Sequence, residues 1–518
     1  MKTEFLRHQW GCFAVFASAL FLVVNSSHAA LDPASAAVLD PSQFSCKATF
    51  TVAGYTGTEP LTNFPVLVKF AAGSPSGFDY GDCAADGSDM RFADDAGNLI
   101  PHEFEVWDPT GTSLAWVRVP VVTNNASFTA FFASDGSPRS DEDVWARYAV
   151  VIHGGTGATN AVAGGPTVSI GNATYVQPNA DAGIVGGGIR KTTGNAIAVN
   201  VAMGTTTNST TLENTGRFSV SGWFKRNGNG GEKGNGTHVL AASRAGWDNG
   251  EGFLLLQEQG KYISIAAKGN SGGHQWQSGS HVLADQTWAH VSFAYESGVS
   301  LTSWFNGEQD NRKASPGNLV SSGGTWTFGS YANTGSNDSL IGDMDELRVF
   351  DGVATVNWMK AEYDTVANAS FLTAGEVLPV DPLAPRIVGA AVVEGVLRLD
   401  ASLSCSMDGA TVSYRFAGPG EDVETATPTV LAASSTAGET LSFSKTGLVG
   451  DAVYTIVLEA EKDGRTARKI LLTASPFGAD AAFTPSPAAN DVRTRAGGDD
   501  VHVLSSSGTF TLATRRCV

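Results

Sequence analysis

The chain is predicted to be all-β, a tandem of antiparallel β-sandwiches. Three observations lead there. Its 518 residues include 60 glycines and 20 prolines, the residues that make turns. Only 16% of residues are charged, too few for the solvated faces of many helices, while 42% are apolar, enough for several cores. Along most of its length apolar and β-branched residues recur at every second position, in short runs bounded by Gly, Asp and Pro. The length predicts about three domains at roughly 100–200 residues each.

The first element is an export signal. Lys2 and Arg7 precede the apolar run "GCFAVFASALFLVV", and "NSSHAA" follows with small residues Ser27 and Ala29, so residues 1–29 read as a secretory signal peptide cut after Ala29. The run is about 14 residues, against the ~20 that a spanning helix needs, which predicts no membrane insertion of the mature chain. The expected location is secreted or at the cell envelope, on the extracellular surface. Removing the signal leaves Cys46, Cys83, Cys405 and Cys517 in a compartment that permits disulfides. Cys46 with Cys83 is the expected pair because both fall in one domain, although four cysteines allow three pairings. A net charge of −18 argues against nucleic acid and anionic membranes as partners, since both need a basic surface.

Residues 30–143 form the first expected sandwich. Its strands read "CKATFTV", "FPVLVKF", "MRFADD", "LIPHEFEVWD", "SLAWVRVPVV" and "SFTAFFAS". The runs "LTNFPVLVKF", "GFDYGDC", "GSDMRFADDAGNLIPHEFEVWDPTGTSLAWVRVPVV" and "TAFFASDG", in this order, resemble the bacterial domain of unknown function 2341. That resemblance implies a β-sandwich of exported multi-module proteins, with no catalytic activity attached and with a laminin-G-like neighbour. Residues 144–377 supply "FSVSGWFKR", "HVLAASRAG", "GFLLLQEQGKYISIAA", "QTWAHVSFAYESGVSLTSWFNGEQ", "TWTFGSYA" and "LIGDMDELRVFDGVAT", then "NWMKAEYDT", a short helix. This order resembles the concanavalin-A-like, laminin-G-type jelly roll. A Pro-rich linker, "LPVDPLAP" at residues 378–385, precedes a third alternating region over 386–475. There Leu448 and Tyr454 have a spacing that resembles fibronectin type III domains, with Gly450 where the usual proline would stand. An immunoglobulin/fibronectin-III-like sandwich is implied. Residues 476–518 are low in aliphatics and read as a flexible tail.

Candidate sites are sparse. In "GDMDELRV" strict alternation places Asp343, Asp345, Leu347 and Val349 on one face and Glu346 with Arg348 on the other, unless a bulge intervenes. A retaining glycosidase needs two carboxyl groups about 5–5.5 Å apart, and the position that should hold the second acid is aliphatic, so no catalytic residues are assigned. The resemblance makes "DE" before a β-branched strand a recurring last-strand signature, and the leading reading is structural: Glu346 pairs with Arg348 and Asp345 caps a turn. The remaining reading is Ca²⁺, with Asp343 and Asp345 supplying part of its oxygen shell. "GNSGG" at residues 269–273 satisfies G-x-S-x-G, yet no helical period follows, so it reads as a hairpin loop and not a nucleophile elbow. Trp247, beside Asp248 and Asn249, and Trp276 are expected in glycine-rich loops. Flat rings next to amides and carboxylates are how proteins hold sugars. The expectation is a secreted, non-catalytic multi-module protein that binds a glycan or surface protein through its laminin-G-like module. A passive stalk and a polysaccharide-active enzyme, with acids converging from separate strands, are the alternatives.

Overall fold

The computed structural model describes residues 38–474 except 135–142, 156, 158, 177–182, 193–196, 204–211, 213–215, 229–235, 245–250, 259–260, 271–272, 321–324, 333–337, 394–397 and 449–452, and beyond 474 three short strands. The signal peptide and Cys517 lie outside the described residues. The expected fold class is observed: antiparallel sheets stacked into sandwiches. No helix among the described residues is long and apolar enough to cross a membrane.

The first sandwich pairs a sheet built on Phe44–Val52, Ala126–Ser134, Arg91–Asp94 and Leu99–Ile100 with a three-stranded sheet of Leu61–Ala71, Thr112–Val122 and His102–Val106. Alternation does the sorting. In "FSCKATFTV" Phe44, Cys46, Ala48, Phe50 and Val52 are buried, while the residues between them are at least partly exposed. Phe50, Phe64, Phe70, Phe92, Phe128 and Trp116 fill the space between the sheets. Cys46 and Cys83 lie in the same core as buried thiols, not as the expected disulfide. Burial, with Asp89 nearby, pushes the Cys83 thiol up and holds it in its neutral form.

The second unit is a jelly roll. An eight-stranded sheet runs through Gly342–Phe350, Arg217–Arg226, Ala289–Glu296 and Ser300–Phe305, and a seven-stranded sheet through Gly273–Ser278, Ile263–Gly269, Gly252–Gln257, His238–Ala242 and Thr325–Phe328. Phe218, Phe253, Phe293 and Trp326 pack between them. In Gly342–Phe350 the register against Arg217–Arg226 shifts between Ser221 and Trp223, and Glu346 takes φ +50°. This bulge corrects the strict alternation expected from sequence. Met344, Leu347 and Val349 face the jelly-roll core, whereas Asp345, Glu346 and Arg348 all turn to the other face, toward the first sandwich.

That face is the junction. The helix Val356–Ala367 is capped by Thr355, whose hydroxyl accepts from the Trp358 N–H. It inserts Trp358 against Phe64 and Phe350, with ring centroids 4.9 Å apart in each pair, and Thr365 Oγ1 accepts from the Leu67 N–H at 2.9 Å. One apolar core therefore continues from the first sandwich into Trp145, Tyr148, Phe350 and Trp358. After the helix the chain returns: Thr373–Ala374 and Leu378–Pro379 each pair with Phe44–Val52. The start of the expected linker is thus a strand of the first sandwich. Beyond it, two four-stranded sheets enclose a third core that contains Leu448 and Tyr454, both buried.

Candidate functional site

The chemistry-bearing residues gather where the first two sandwiches meet. Glu103 and Glu105 are two apart on His102–Val106 and so share a face. His153 follows the strand Tyr148–Ile152, which pairs with Gly342–Phe350 and carries the imidazole to the bulge. There His153 Nδ1 lies 2.6 Å from Glu346 Oε1 and 3.5 Å from Glu105 Oε2, and Nε2 lies 3.0 Å from Glu103 Oε1. Arg348 Nη2 donates to Glu346 Oε2 at 2.5 Å, and its guanidinium rests 4.6 Å over the Trp116 ring and 4.9 Å over that of Trp145. Trp116 Nε1 donates to Glu105 Oε2 at 2.9 Å and Trp145 Nε1 to Glu103 Oε1 at 2.6 Å.

Such a group of charges must settle its protons. Burial pushes the Glu346 carboxyl up, but His153 and Arg348 outweigh it and hold it down at about 2. Burial and the Glu346 charge raise Asp345 to about 8 and Glu105 well above the carboxylate range. Burial lowers His153, yet the charges of Glu346 and Glu105 prevail and raise it well above its ordinary value. Beside the cluster opens a cleft of about 610 Å³, lined by Glu103, Phe104, Glu105, Asp143 and His153 among others. Only Glu103 and His153 of the core cluster reach it appreciably, with side chains 17% and 15% exposed; Glu105 and Glu346 stand at 5% and 1%.

The residues singled out by sequence fall in three places. Asp345 is buried in the cluster, where the N–H groups of Gly154, Ile184, Val185 and Glu346 donate to its oxygens. Asp343 lies at the end of the strand, bonded to Arg190 Nε at 2.7 Å and Lys225 Nζ at 2.8 Å. The oxygens expected for Ca²⁺ are thus engaged by protein donors, and the two carboxylates have different neighbours. Glu346 pairs with Arg348, as the structural reading expected. Trp276 is in a strand and not a loop: Gly273–Ser278 forms a hairpin with Ile263–Gly269, and Trp276 stands opposite Ala266. The row Ala242, Leu254, Ala266 and Trp276 crosses the outer face of the seven-stranded sheet, where Val239, Leu256 and Tyr331 join a second apolar cluster. Trp276 is half-buried at its edge. Trp247, Asp248 and Asn249 lie outside the described residues.

Sequence reasoning missed Glu103, Glu105 and His153. The available signal was "HEFEVW", two acids on one face of a strand that otherwise belongs to a core.

Fold and junction define a protein of fused β-sandwiches with a jelly roll at its centre. The family models name the two parts: that of the concanavalin A-like lectin/glucanases superfamily matches residues 200–359, and that of the domain of unknown function DUF2341 matches residues 86–137. The chain therefore carries a DUF2341 domain followed by a concanavalin A-like domain. No curated protein matches it. Among solved structures, it is similar to the IT-sialidase CBM40 of Ruminococcus gnavus bound to α2,3-sialyllactose, at 11% identity and TM-score 0.29, over 34% of this chain and 96% of that one. The binding domain of Paraclostridial Mosquitocidal Protein 1 is similar at 11% identity and TM-score 0.34, over 69% and 92%. The SAP-like pentraxin of Limulus polyphemus is similar at 15% and 0.24, over 32% and 82%. Likenesses this distant say nothing about a ligand.

Proposed function

We propose that this is a secreted, non-catalytic binding protein that holds a glycan at the Trp276 edge of the seven-stranded sheet of its jelly roll. The observation that carries the reading is the place of Trp276. The eight-stranded sheet spends its outer face on the first sandwich, through Arg348, Phe350 and the helix Val356–Ala367. On the other broad face Val239, Ala242, Leu254, Leu256, Ala266 and Tyr331 are buried, so the sheet meets a ligand at its edge, at half-buried Trp276, whose carbonyl oxygen accepts from Lys313 Nζ at 3.1 Å. An indole beside polar strand residues suits the apolar face of a sugar ring.

The junction acids support a non-catalytic role. A glycosidase nucleophile must meet its substrate, but the Glu346 side chain is 1% exposed and bound on both sides by His153 and Arg348. Among the described residues, the donors to Asp345 are backbone N–H groups. The cell surface is the expected setting, and a surface protein is the other partner class.

The test is a glycan and polysaccharide array probed with the whole mature chain, since the jelly roll shares its core with the first sandwich. Saturable binding that Trp276→Ala weakens at least tenfold is expected. A blank array, or equal binding by the variant, overturns the reading.

A further inference from the structure

We propose that Lys69 is the centre of a second binding site, one for a carboxylate with an adjoining amide N–H, the chemistry of a peptide's C-terminal residue. The strand Leu61–Ala71 is an edge of the three-stranded sheet, paired on one side with Thr112–Val122. Beyond its open side lies a cleft of about 370 Å³, between the strand, the turn at residues 74–76 and the end of the helix Val356–Ala367. Lys69 lines this cleft.

An edge strand must dispose of the backbone groups that point away from its sheet. Along an antiparallel strand such groups belong to every second residue, here 65, 67, 69 and 71. Pro65 has no N–H to leave open. The Leu67 N–H donates to Thr365 Oγ1 at 2.9 Å, and Ala71 closes on Ser74, the N–H of each donating to the carbonyl oxygen of the other at 2.8 Å. Between these closures Lys69 turns a backbone N–H and C=O toward the cleft. Among the described residues, neither these groups nor its ammonium have a hydrogen-bond or ion-pair partner.

The side chain adds a charge. Lys69 reaches solvent through the mouth of the cleft, yet the protein crowds it, and burial with no acid to offset it holds the ammonium below its ordinary range. In a chain of net charge −18, an ammonium at a cleft with no acid beside it is a place for the anion of a ligand. The ammonium and the Lys69 N–H offer two donors to the two oxygens of a carboxylate, and the Lys69 carbonyl oxygen offers an acceptor to an amide N–H of the same ligand. With the positions on both sides closed, the ligand engages by one residue and not as a longer added strand. Buried Phe50 and Leu67 supply an apolar floor for its side chain. This inference is independent of glycan binding at Trp276.

The experiment labels the full mature chain with carbonyl-¹³C valine and ¹⁵N lysine. Val68-Lys69 is the one Val-Lys pair in the sequence, so a carbonyl-filtered NMR spectrum isolates the Lys69 amide. N-acetylalanine should move that signal saturably. Acetate, which lacks the amide, and N-acetylalaninamide, which lacks the carboxylate, should each bind at least tenfold more weakly. Lys69→Met, read at the same position with ¹⁵N methionine, should also weaken N-acetylalanine binding at least tenfold, and the wild-type comparison of the three compounds decides alone if that variant does not fold. An unmoved Lys69 signal, equal affinity for either control compound, or undiminished binding by folded Lys69→Met overturns the site.

Discussion

His153 and Glu346 stand 193 residues apart in sequence and meet Nδ1 to Oε1 at 2.6 Å. Their contact exists because a bulge at Glu346 turns two successive acids toward the same face. Without that bulge, strict alternation would turn Asp345 into the apolar core with Leu347. The junction between the first two sandwiches is organised around this one backbone irregularity.

Arg348 is the cation on which the junction depends. It binds Glu346 and lies within 3.9 Å of Glu362, which also lies near His290 and accepts from the Ser221 hydroxyl. Removing one partner of a buried pair leaves the other charge uncompensated, at a cost of about 3–5 kcal/mol. Arg348→Ala should lower the denaturation midpoint accordingly. Arg348→Lys should recover only part of it, because an ammonium cannot reproduce the flat guanidinium over Trp116 and Trp145.

The shared core predicts shared unfolding. Trp358 packs on Phe64 of the first sandwich and on Phe350 of the jelly roll, and its Nε1 donates to the Tyr148 hydroxyl at 3.2 Å. Trp358→Ala should cost about 3–5 kcal/mol. Fluorescence and circular dichroism of the wild-type chain should report one transition for the two units, and a fragment of residues 144–377 alone should bind apolar dyes.

His238 supplies a pH dependence that does not involve the junction. It is buried, neither ring nitrogen has a hydrogen-bond partner among the described residues, and burial, helped by the Arg226 charge, lowers it from 6.5 to about 4. A histidine depressed in the fold contributes stability that is whole above 6.5 and is lost as pH falls through 4. The thermal midpoint of the wild-type chain should therefore drop more steeply over that window than that of His238→Leu. Parallel curves would contradict the assignment.

Alternation and turn residues made the sandwiches legible, because a strand with one buried face must write that face into its sequence. "FSCKATFTV" and "GDMDELRV" show both the power and the limit. The first follows the rule throughout. The second breaks it at one residue, and no local pattern announces a bulge whose cause is the fit between two distant strands. His153 was illegible for a related reason: its partners are Glu103 on one side and Glu346 on the other, joined only by the tertiary fold. The glycines of "GGHQWQSG" suggest a loop around Trp276, but its pairing with Ala266 makes it part of the sheet.

A glycan held at the Trp276 edge of the seven-stranded sheet should register in hydrogen–deuterium exchange of the full chain with and without a glycan selected on the array. Exchange should slow in Ile263–Gly269 and Gly273–Ser278, and not in Trp276→Ala. Protection confined to the cleft beside Glu103 and His153, with none in those two strands, would contradict it.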